Sequence, residues 1–322
     1  MLVHQSSRAD GSEAESSSLP GLARLKPCWW EDDALTGAID LGLATDRNAL
    51  EQAFRLVHDQ YVHRGYMSRN PSGWRLSLHN ALPATKVIVA RIGGRVVGTV
   101  TLIPDSPLGL PMSEIYGGEL QALREEGRRI GEASALVIDP EFKRFGMAVL
   151  MRLVRMMVTY AAEATRMTDL CIAINPHHAA VYRKAFDFET IGPVRQYGKV
   201  NGAPAVALRL DLGLVRALIT DLKEGGPLLN PVYGFLFGKE VCHKVLARIT
   251  SDLCRGTSSR EHFEYFIRRH PVWLAASPAD RTYVLSHYEE SGHAEEPEPA
   301  VDVRALGFRE IELPMLTLAA TS

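Results

Sequence analysis

The chain has 322 residues, of which 46% are hydrophobic and 23% charged, the composition of an ordinary globular protein. Its formal net charge of −2 gives no overall attraction for nucleic acid, which is therefore not expected as a partner. The cysteines (Cys28, Cys171, Cys242 and Cys254) lack the paired spacing of a zinc site or a disulfide framework, as in a reducing compartment. No apolar run is expected to span a bilayer, and the polar N-terminal segment lacks a signal-peptide core, so a cytoplasmic protein is predicted.

The residue pattern divides the chain into four regions. Residues 1–25 are polar and Ser-rich and are predicted to form a disordered tail. Residues 26–212 alternate between strand and helix patterns, residues 213–288 have helical patterns, and residues 289–322 form an acidic, Pro-containing linker and tail. This order predicts an α+β domain with a central mixed sheet flanked by helices, followed by a helical C-terminal extension.

Apolar spacing and turn residues place the individual elements. Thr45 or Asp46 is the predicted N-cap of the first helix, Gly93-Gly94 the turn of a hairpin, and Asn175-Pro176 the start of a later helix. The predicted strands are 39–44, 86–92, 95–103, 131–138, 169–174, 190–195 and 203–211. The predicted helices are 46–63, 114–126, 146–164, 176–187, 214–223, 231–250, 259–270 and 278–288.

A strand, a turn, a basic segment and a long helix follow one another from residue 131 to residue 164. Asp139-Pro140 sets the turn, Lys143 and Arg144 make the segment basic, and Gly146 begins the helix. Free backbone N–H groups and the positive end of the helix dipole meet at such a junction, which is therefore predicted to bind a phosphate-bearing ligand. An ordinary strand–turn–helix connection is the alternative, because a single glycine does not distinguish the two.

Several segments resemble those of one superfamily of enzymes. Lys143-x-x-Gly146-x-Ala148 resembles the acyl-donor loop of GNAT acyltransferases, with Lys in place of the usual Arg or Gln. The other matching segments are 56–66, 132–134, 174–182 and 197–205, the last with an uncommon Lys-Val-Asn-Gly-Ala-Pro run. Over roughly residues 40–212 the chain is most similar to the N-acyl amino acid synthases of the FeeM type, relatives of the acyl-homoserine-lactone synthases.

Two positions depart from the related patterns. The lactone synthases typically have Arg where this chain has Ala135, which argues against an adenosylmethionine-using lactone synthase. Many GNAT enzymes have Gly-Phe where this chain has Asp187-Phe188, so the close packing that Gly allows is not expected here.

The resemblance implies a GNAT-like fold and an N-acyltransferase. The implied reaction moves a long-chain acyl group from acyl carrier protein to the α-amine of an amino acid. It implies no tightly bound cofactor, the acyl donor being carried on a 4'-phosphopantetheine arm. An acyl-CoA-dependent N-acetyltransferase and a non-catalytic domain that keeps the fold are the alternatives. The aromatic helices of 213–288 are candidates to cover an acyl tunnel, to dimerise, or to make peripheral membrane contact.

The implied chemistry selects the catalytic candidates. Amide formation from a thioester needs a base for the amine, a stabilised oxyanion and a proton for the departing thiolate. Glu132 is the predicted base, because burial on an apolar strand raises the pKa of a carboxyl, and Ser134 is a further candidate. Tyr182 stands where many GNAT enzymes keep a proton-donating Tyr. A structural ion pair at Glu132 and a packed ring at Tyr182 are the alternatives.

Donor and acceptor binding are assigned to different segments. Arg64, at the end of the first helix, is predicted to pair with the carboxylate of the acceptor, or otherwise only with the helix dipole. Asn175 and His178 are further acceptor-binding candidates, and His178 lies one helical turn before Tyr182. The donor-binding candidates are Val137, Lys143, Arg144, Phe145, Gly146, Met147 and Ala148.

Basic residues near the predicted donor loop suggest a rim that meets the acidic carrier protein. Solvated helix faces are the alternative interpretation of these charges. The predicted rim consists of Lys143, Arg144, Arg152, Arg155, Arg183 and Lys184. No metal site is predicted, because the adjacent His177 and His178 have no further ligand at suitable spacing.

Overall fold

The computed structural model describes residues 37–224, 231–255 and 259–289. Helices pack on both faces of one mixed sheet. The strands are β1 (Ile39–Leu43), β2 (Lys86–Ile92), β3 (Arg95–Pro104), β4 (Ile130–Ile138), β5 (Asp169–Ile174), β6 (Glu189–Thr190), β7 (Arg195–Tyr197) and β8 (Ala203–Asp211). The helices are α1 (Arg47–His63), α2 (Ser113–Glu125), α3 (Gly146–Glu163), α4 (Pro176–Phe186), α5 (Leu212–Glu224), α6 (Pro231–Phe237), α7 (Lys239–Cys254), α8 (Ser259–His262), α9 (Pro271–Leu274) and α10 (Pro278–Glu289). The predicted tail at 1–25 and most of the predicted linker at 289–322 lie outside the described residues.

Eight strands of the described chain form the sheet in the order β1-β2-β3-β4-β5-β8-β6, with β7 also paired to β8. Neighbouring strands run antiparallel, except that β4 and β5 run parallel. This arrangement confirms the predicted α+β plan with a central mixed sheet flanked by helices.

Local signals account for most element boundaries. The carboxylate of Asp46 accepts a hydrogen bond from the N–H of Ala49 at 2.8 Å and so caps α1. Gly93 and Gly94 have φ values of 57° and 80°, the left-handed conformation that a two-residue hairpin turn requires. Asn175 caps α4 by accepting from the N–H of His177 at 3.0 Å. Each of these signals is short-range, and each prediction built on it is confirmed.

Three predicted elements are wrong in detail. One of them, predicted helix 259–270, is α8 followed by a π-helix, Phe263–Ile267. Predicted strand 190–195 is broken into β6 and β7, since Pro193 has no N–H for the ladder and Gly192 packs against a ring. Predicted helix 231–250 is two helices, because Gly238 adopts an extended conformation with a ψ of 142° between them. Both breaks fall at residues that interrupt regular structure, which the apolar period alone does not report.

The two faces of the sheet bury different cores. Leu170 and Ile172 of β5 point to the face covered by α3, called here the α3 side. Cys171, between them, points to the opposite face, which is covered by α1 and α2 and is called the α1 side. The helices after β8 contribute to both cores, with Phe237 on the α3 side and Phe263 on the α1 side.

The α3 helix occupies the centre of the α3 side. Together with the preceding 3-10 helix it spans Pro140–Glu163 and is long and apolar enough to cross a membrane. An apolar run of this length was not expected from the sequence. Yet 72% of its most apolar stretch is buried inside the protein. Its apolar surface is therefore accounted for by the core of the domain.

A buried carboxylate ties α7 to the first strand. Asp252 is 2% exposed, and its Oδ2 accepts from the backbone N–H of Leu43 at 2.8 Å. The Nε of Arg248 also donates to Asp252, at 3.0 Å. A Cβ on Gly42 would lie 2.7 Å from Oδ2 of Asp252, so the close approach of helix and strand needs a glycine at this position.

Replacing Asp252 by alanine is expected to lower the free energy of unfolding by about 3 kcal/mol, because it leaves the buried N–H of Leu43 without an acceptor and leaves Arg248 with only Asp40 as its carboxylate partner. Chemical denaturation would measure the loss. Asp221→Ala, at an exposed position of α5, is the matched control. A loss no larger than that of the control would contradict a structural role for this contact.

Candidate active site

Glu132 lies inside the sheet with its carboxyl protected from water. It is 3% exposed and stands between Ile103 of β3 and Cys171 of β5, on the α1 side. Its Oε2 accepts a hydrogen bond from the N–H of Met112 at 2.8 Å. Burial raises the pKa of Glu132 to about 8, although the Met112 hydrogen bond and the charge of Lys199 act in the opposite direction.

Among the described residues Glu132 has no ion pair within 4 Å, so the interpretation of Glu132 as half of a structural salt bridge does not fit the geometry. A carboxyl with a pKa near 8 exchanges its proton close to neutral pH. The buried position of Glu132 therefore suits a group that takes up and returns a proton.

The loop between β3 and α2, residues 105–112, holds the surroundings of Glu132 together. The backbone oxygen of Pro111 accepts from the hydroxyl of Tyr197 at 2.7 Å and from Nζ of Lys199 at 2.8 Å. The next residue, Met112, donates to Glu132. The oxygen of Gly109 lies 3.0 Å from Nε2 of the buried His79. One short loop thus fixes the carboxyl, a phenol and an ammonium relative to one another.

Two tyrosines and two cations cluster with Glu132, although none of the four was predicted as a site residue. The negative charge of Glu132 contributes to raising the pKa of Tyr61 and Tyr197, for both of which burial is the largest cause. The guanidinium of Arg75 lies 5.8 Å from the ring centroid of Tyr61 and, like Lys199, faces this cluster. The unusual run 197–205 was the sequence signal that pointed here.

Beyond Glu132 the sheet opens between β4 and β5. The parallel ladder consists of Ile130↔Asp169, Gly131↔Leu170 and Glu132↔Cys171. Both strands continue, but the remaining residues of β5 pair with β8 and those of β4 with β3. Residues 133–136 are only half-buried although they belong to a central strand. A gap therefore separates the two strands, and we call it the β4–β5 gap.

A β-bulge shapes the wall of the gap formed by β4. The register to β3 shifts by one residue between Thr101↔Ser134 and Thr99↔Val137. Ala135, inside this shift, has a φ of 53°, an uncommon conformation for a residue other than glycine. Ser134 lies on the same side of the sheet as Glu132 and is half-buried, and Val137 is buried on that side. Because of the bulge, the backbone N–H and C=O groups near Ala135 do not follow the regular hydrogen-bonding pattern between β3 and β4.

The donor-loop candidates stand at the open end of the gap. Because β4 and β5 are parallel, the segments that follow them begin at the same edge of the sheet, where ligands of open α/β sheets bind. Lys143 and Arg144 are exposed there, and Met147 is 41% exposed. A Cβ on Gly146 would meet no atom within 4 Å, so the surface next to it is open.

The basic segment itself is ordered differently from the predicted loop. A 3-10 helix, Pro140–Phe145, leads directly into α3, and the N–H of Gly146 donates to the oxygen of Lys143. The guanidinium of Arg144 lies 4.5 Å from the ring centroid of Phe145. Because the N–H of Gly146 already donates to the Lys143 oxygen, it is not free to bind a phosphate. Phosphate binding at this junction stays a prediction.

The acceptor-binding candidates are grouped at the end of α1 and the start of α4. Arg64 is exposed, and its charge helps to lower the pKa of His178, for which burial is the first cause and His177 the second. The side-chain oxygen of Asn175 is occupied by its helix cap. Arg64 and His178 are therefore near each other, while no contact joins either of them to Glu132 in the described part of the chain.

Tyr182 and Glu132 come from opposite sides of the sheet. The ring of Tyr182 packs against Phe186 and Phe188, at centroid distances of 5.8 and 5.5 Å, and against the core of the α3 side. Burial raises the pKa of Tyr182. Tyr182 and Glu132 can act on the same substrate only if that substrate lies in the β4–β5 gap between them. The role of Tyr182 as a proton donor stays a prediction.

Part of the predicted basic rim is wrong. Arg152 is 4% exposed, and the guanidinium groups of Arg152 and Arg155 lie 5.8 and 4.0 Å from the ring centroid of Phe235. These two arginines pack between α3 and α6 and are not exposed on the surface, as the predicted rim would require. Arg183 and Lys184 are exposed on α4, as a rim requires.

The Asp that replaces a glycine at the end of α4 has its own stabilising contact. Asp187 has a φ of 52°, and its carboxylate accepts a hydrogen bond from the hydroxyl of Tyr233 on α6. This contact offsets the cost of the left-handed conformation.

Cavities elsewhere do not coincide with the predicted site. A cavity of about 400 Å³ among the C-terminal helices is lined by Arg260, Phe263, Glu264, Arg268, Leu285 and Tyr288. An apolar cavity of about 10 Å³ lies between α3 and α6, too small for an acyl chain. Over the described ranges, no three His, Cys, Asp or Glu side chains are arranged to hold a metal ion.

One protein family and several solved structures resemble this chain. The family model "N-acyl amino acid synthase FeeM" matches residues 52–211. The solved structure of FeeM, from uncultured soil microbes, is 31% identical and covers 56% of this chain and 93% of its own, with a TM-score of 0.49.

More distant structures include two acyl-homoserine-lactone synthases. The CoA-dependent synthase BjaI is 21% identical and covers 62% of this chain and 98% of its own, with a TM-score of 0.42. LasI is 17% identical, with coverages of 54% and 89% and a TM-score of 0.37. Among curated proteins none matches the sequence. By the family model and the identity over nearly the whole of FeeM, the chain belongs to the FeeM family of N-acyl amino acid synthases and is an acyltransferase with a GNAT-like fold.

Proposed function

We propose that the protein transfers a long-chain acyl group from an acyl thioester on carrier protein to the α-amine of an amino acid. The observation that carries the proposal is the position of Glu132, a buried carboxyl with a pKa of about 8 at the point where the β4–β5 gap begins. A base at this position is next to the place where a thioester enters from the open edge of the sheet and an amine enters from the α1 side.

The chemical step uses Glu132 as the base. Its carboxylate takes a proton from the amine as the nitrogen attacks the thioester carbon, so that a C–N bond forms and the C–S bond breaks. Backbone N–H groups of the bulge at Ala135 are suited to the oxyanion. The sulfur leaves as a thiolate and takes a proton, for which Tyr182, across the gap, is the proposed donor. The products are an amide and a free thiol.

The β4–β5 gap supports a donor carried on a flexible arm. The amide groups of a 4'-phosphopantetheine arm can pair with the free edge of β4, as a strand added to a sheet would. Lys143 and Arg144 stand where the phosphate of the arm would leave the gap. The apolar side chains next to the gap on the α3 side are only half-buried, which favours a long acyl chain. These are Leu136, Ile138, Phe142 and Phe145.

Carrier protein is favoured over free CoA by the surface around the open end of the gap. Met147 is 41% exposed and Val181 is 52% exposed, each beside basic residues on its own helix or turn. Exposed apolar side chains with a basic surround match an acidic protein partner with an apolar contact face.

Reversing the charge of the donor loop tests this choice of donor. In Lys143→Glu/Arg144→Glu, KM for acyl carrier protein is expected to rise about 10-fold or more, because two attractive charges become repulsive. KM for a short acyl-pantetheine thioester should change little. Steady-state kinetics with both donors measures the difference, and Lys244→Glu, exposed on α7, is the control. An equal loss with both donors would contradict carrier-protein docking at this loop.

Product analysis tests the function itself. The purified protein is incubated with acyl carrier protein or CoA thioesters, from acetyl to long-chain acyl, and a mixture of amino acids. Mass spectrometry should detect N-acyl amino acids formed from the long-chain carrier-protein thioester. Formation of N-acetyl products from acetyl-CoA alone would instead support the CoA-dependent acetyltransferase. No product with any donor would support a binding domain.

A further inference from the structure

We infer that Lys199 binds the α-carboxylate of the acceptor and so makes the enzyme selective for amino acids over other primary amines. This inference rests on the proposed function, since it identifies what the same site recognises. Lys199 was not among the residues that the sequence assigned to acceptor binding, where Arg64 was expected to bind the carboxylate.

The position of Lys199 relative to Glu132 is fixed by the 105–112 loop. Nζ of Lys199 donates to the oxygen of Pro111 at 2.8 Å, and the following residue, Met112, donates its N–H to Glu132 at 2.8 Å. The ammonium and the proposed base are therefore held by consecutive residues of one loop. The charge of Lys199 also acts on the carboxyl of Glu132.

Lys199 retains hydrogen-bonding capacity for a ligand. An ammonium has three N–H donors, of which the Pro111 oxygen takes one. The nearest carboxylate oxygen, Oε2 of Glu114, is 3.7 Å away, which is beyond hydrogen-bond distance. The side chains of Lys199 and Glu114 are 39% and 41% exposed, so this pair is weak and a ligand can reach the ammonium.

The backbone around Lys199 is anchored before any ligand arrives. Lys199 belongs to a 3-10 turn, Gly198–Val200, between β7 and β8. The side-chain amide of Asn201 donates to the oxygen of Gly65 at 2.8 Å, which ties this turn to the end of α1. The hydroxyl of Tyr197 shares the Pro111 oxygen with Lys199. A cation held in this way needs little reorganisation to bind a carboxylate.

The chemistry of an α-amino acid matches this arrangement. Its amine and its carboxylate are attached to the same carbon, so a base for the amine and a cation for the carboxylate must stand close together. Glu132 and Lys199 are held at the two ends of one trans peptide group, the N–H of Met112 and the C=O of Pro111, a separation that a single amino acid can span. An amine without the carboxylate leaves the ammonium without its partner, and polar sites reject such analogues strongly.

The other cations nearby fit this role less well. Arg64 acts on His178 and Tyr61, but its charge is not among those acting on Glu132. Arg75 donates to the oxygen of Leu76 at 2.8 Å and lies over the ring of Tyr61. Among the described residues no hydrogen bond joins Arg75 to the 105–112 loop that holds Glu132, whereas Lys199 donates to that loop directly.

Kinetics with matched acceptors tests the inference. Wild type and Lys199→Met are compared with an amino acid that the wild type accepts and with its carboxamide, which has the same amine and no carboxylate. In Lys199→Met, KM for the amino acid is expected to rise about 10-fold or more, while KM for the carboxamide changes little. Lys199→Arg keeps the charge and should recover part of the preference. Lys244→Met, exposed on α7, is the matched control.

The possible outcomes separate this inference from the proposed function. A variant that loses activity equally with both acceptors, or that keeps the preference for the amino acid, would overturn the role of Lys199. Collapse of the preference in Arg75→Met or Arg64→Met, with Lys199→Met unaffected, would overturn it in favour of an arginine. Wild-type protein that acylates neither acceptor would contradict the proposed function itself. Thermal unfolding of each variant separates loss of recognition from loss of folding.

Discussion

Glu132→Gln is expected to lower the rate of N-acylation by about 100-fold or more, because the amide cannot take the proton of the amine. Its side-chain oxygen can still accept from the N–H of Met112, so the fold around the site should be kept. Steady-state rates at saturating donor, measured by product mass spectrometry, give the loss in kcat and in kcat/KM.

The pH dependence of the rate identifies the group that is lost. Only the neutral amine attacks the thioester, so kcat/KM of both proteins rises with pH as the acceptor loses its proton. The ratio of wild type to Glu132→Gln cancels that effect and should itself rise with pH and level off above the pKa of Glu132, about 8. Glu125→Gln, at an exposed position of α2, should keep both the rate and the profile. A Glu132→Gln protein with wild-type turnover would remove Glu132 from the mechanism.

The same carboxyl is expected to make folding stability depend on pH in an unusual direction. In the unfolded chain Glu132 ionises near its ordinary pKa of 4.5, but in the folded protein burial raises that pKa to about 8. Between these values the folded state holds one more proton than the unfolded state, so the free energy of unfolding falls as pH rises. The contribution of Glu132 is complete below the lower pKa and is lost by the upper one, a decrease of about 5 kcal/mol.

Denaturant unfolding of wild type and Glu132→Gln across this pH range isolates the effect. Glutamine does not titrate, and the other ionisable groups are common to both proteins, so their contributions cancel in the difference. Relative to the wild type, the variant should therefore become steadily more stable from about pH 4 to about pH 9. A difference that stays constant with pH would show that Glu132 ionises as an ordinary exposed carboxyl does.

Elements with local signals could be predicted from the sequence, and those set by distant contacts could not. The cap at Asp46, the Gly93-Gly94 turn and the bounds of β5 follow from neighbouring residues alone. The bulge at Ala135 is a shift in the pairing of β4 with the distant β3, and the break at Gly238 interrupts a run that periodicity alone predicts as one helix.

The same distinction between local signals and distant contacts decides which residues of the site could be predicted. Glu132 could be found because a lone carboxylate on an apolar strand is conspicuous, and the resemblance drew attention to its segment. Lys199 could not be assigned, because it meets Pro111 across 88 positions of sequence. Arg152 resembled a surface charge in the sequence, but its helix is buried on nearly every side.

Under the proposed function, the interruption between β4 and β5 would divide the recognition of the two substrates between main chain and side chains. A phosphopantetheine arm inserted there would bind backbone N–H and C=O groups, and every residue except proline supplies both. Substitutions at Ala133 or Leu136 would therefore change how the arm packs but not its hydrogen bonds. Donor recognition would then tolerate sequence drift along β4. Acceptor choice, carried by single side chains such as Lys199, would change with one substitution, so related sequences can diverge in the amine they accept while keeping the same donor.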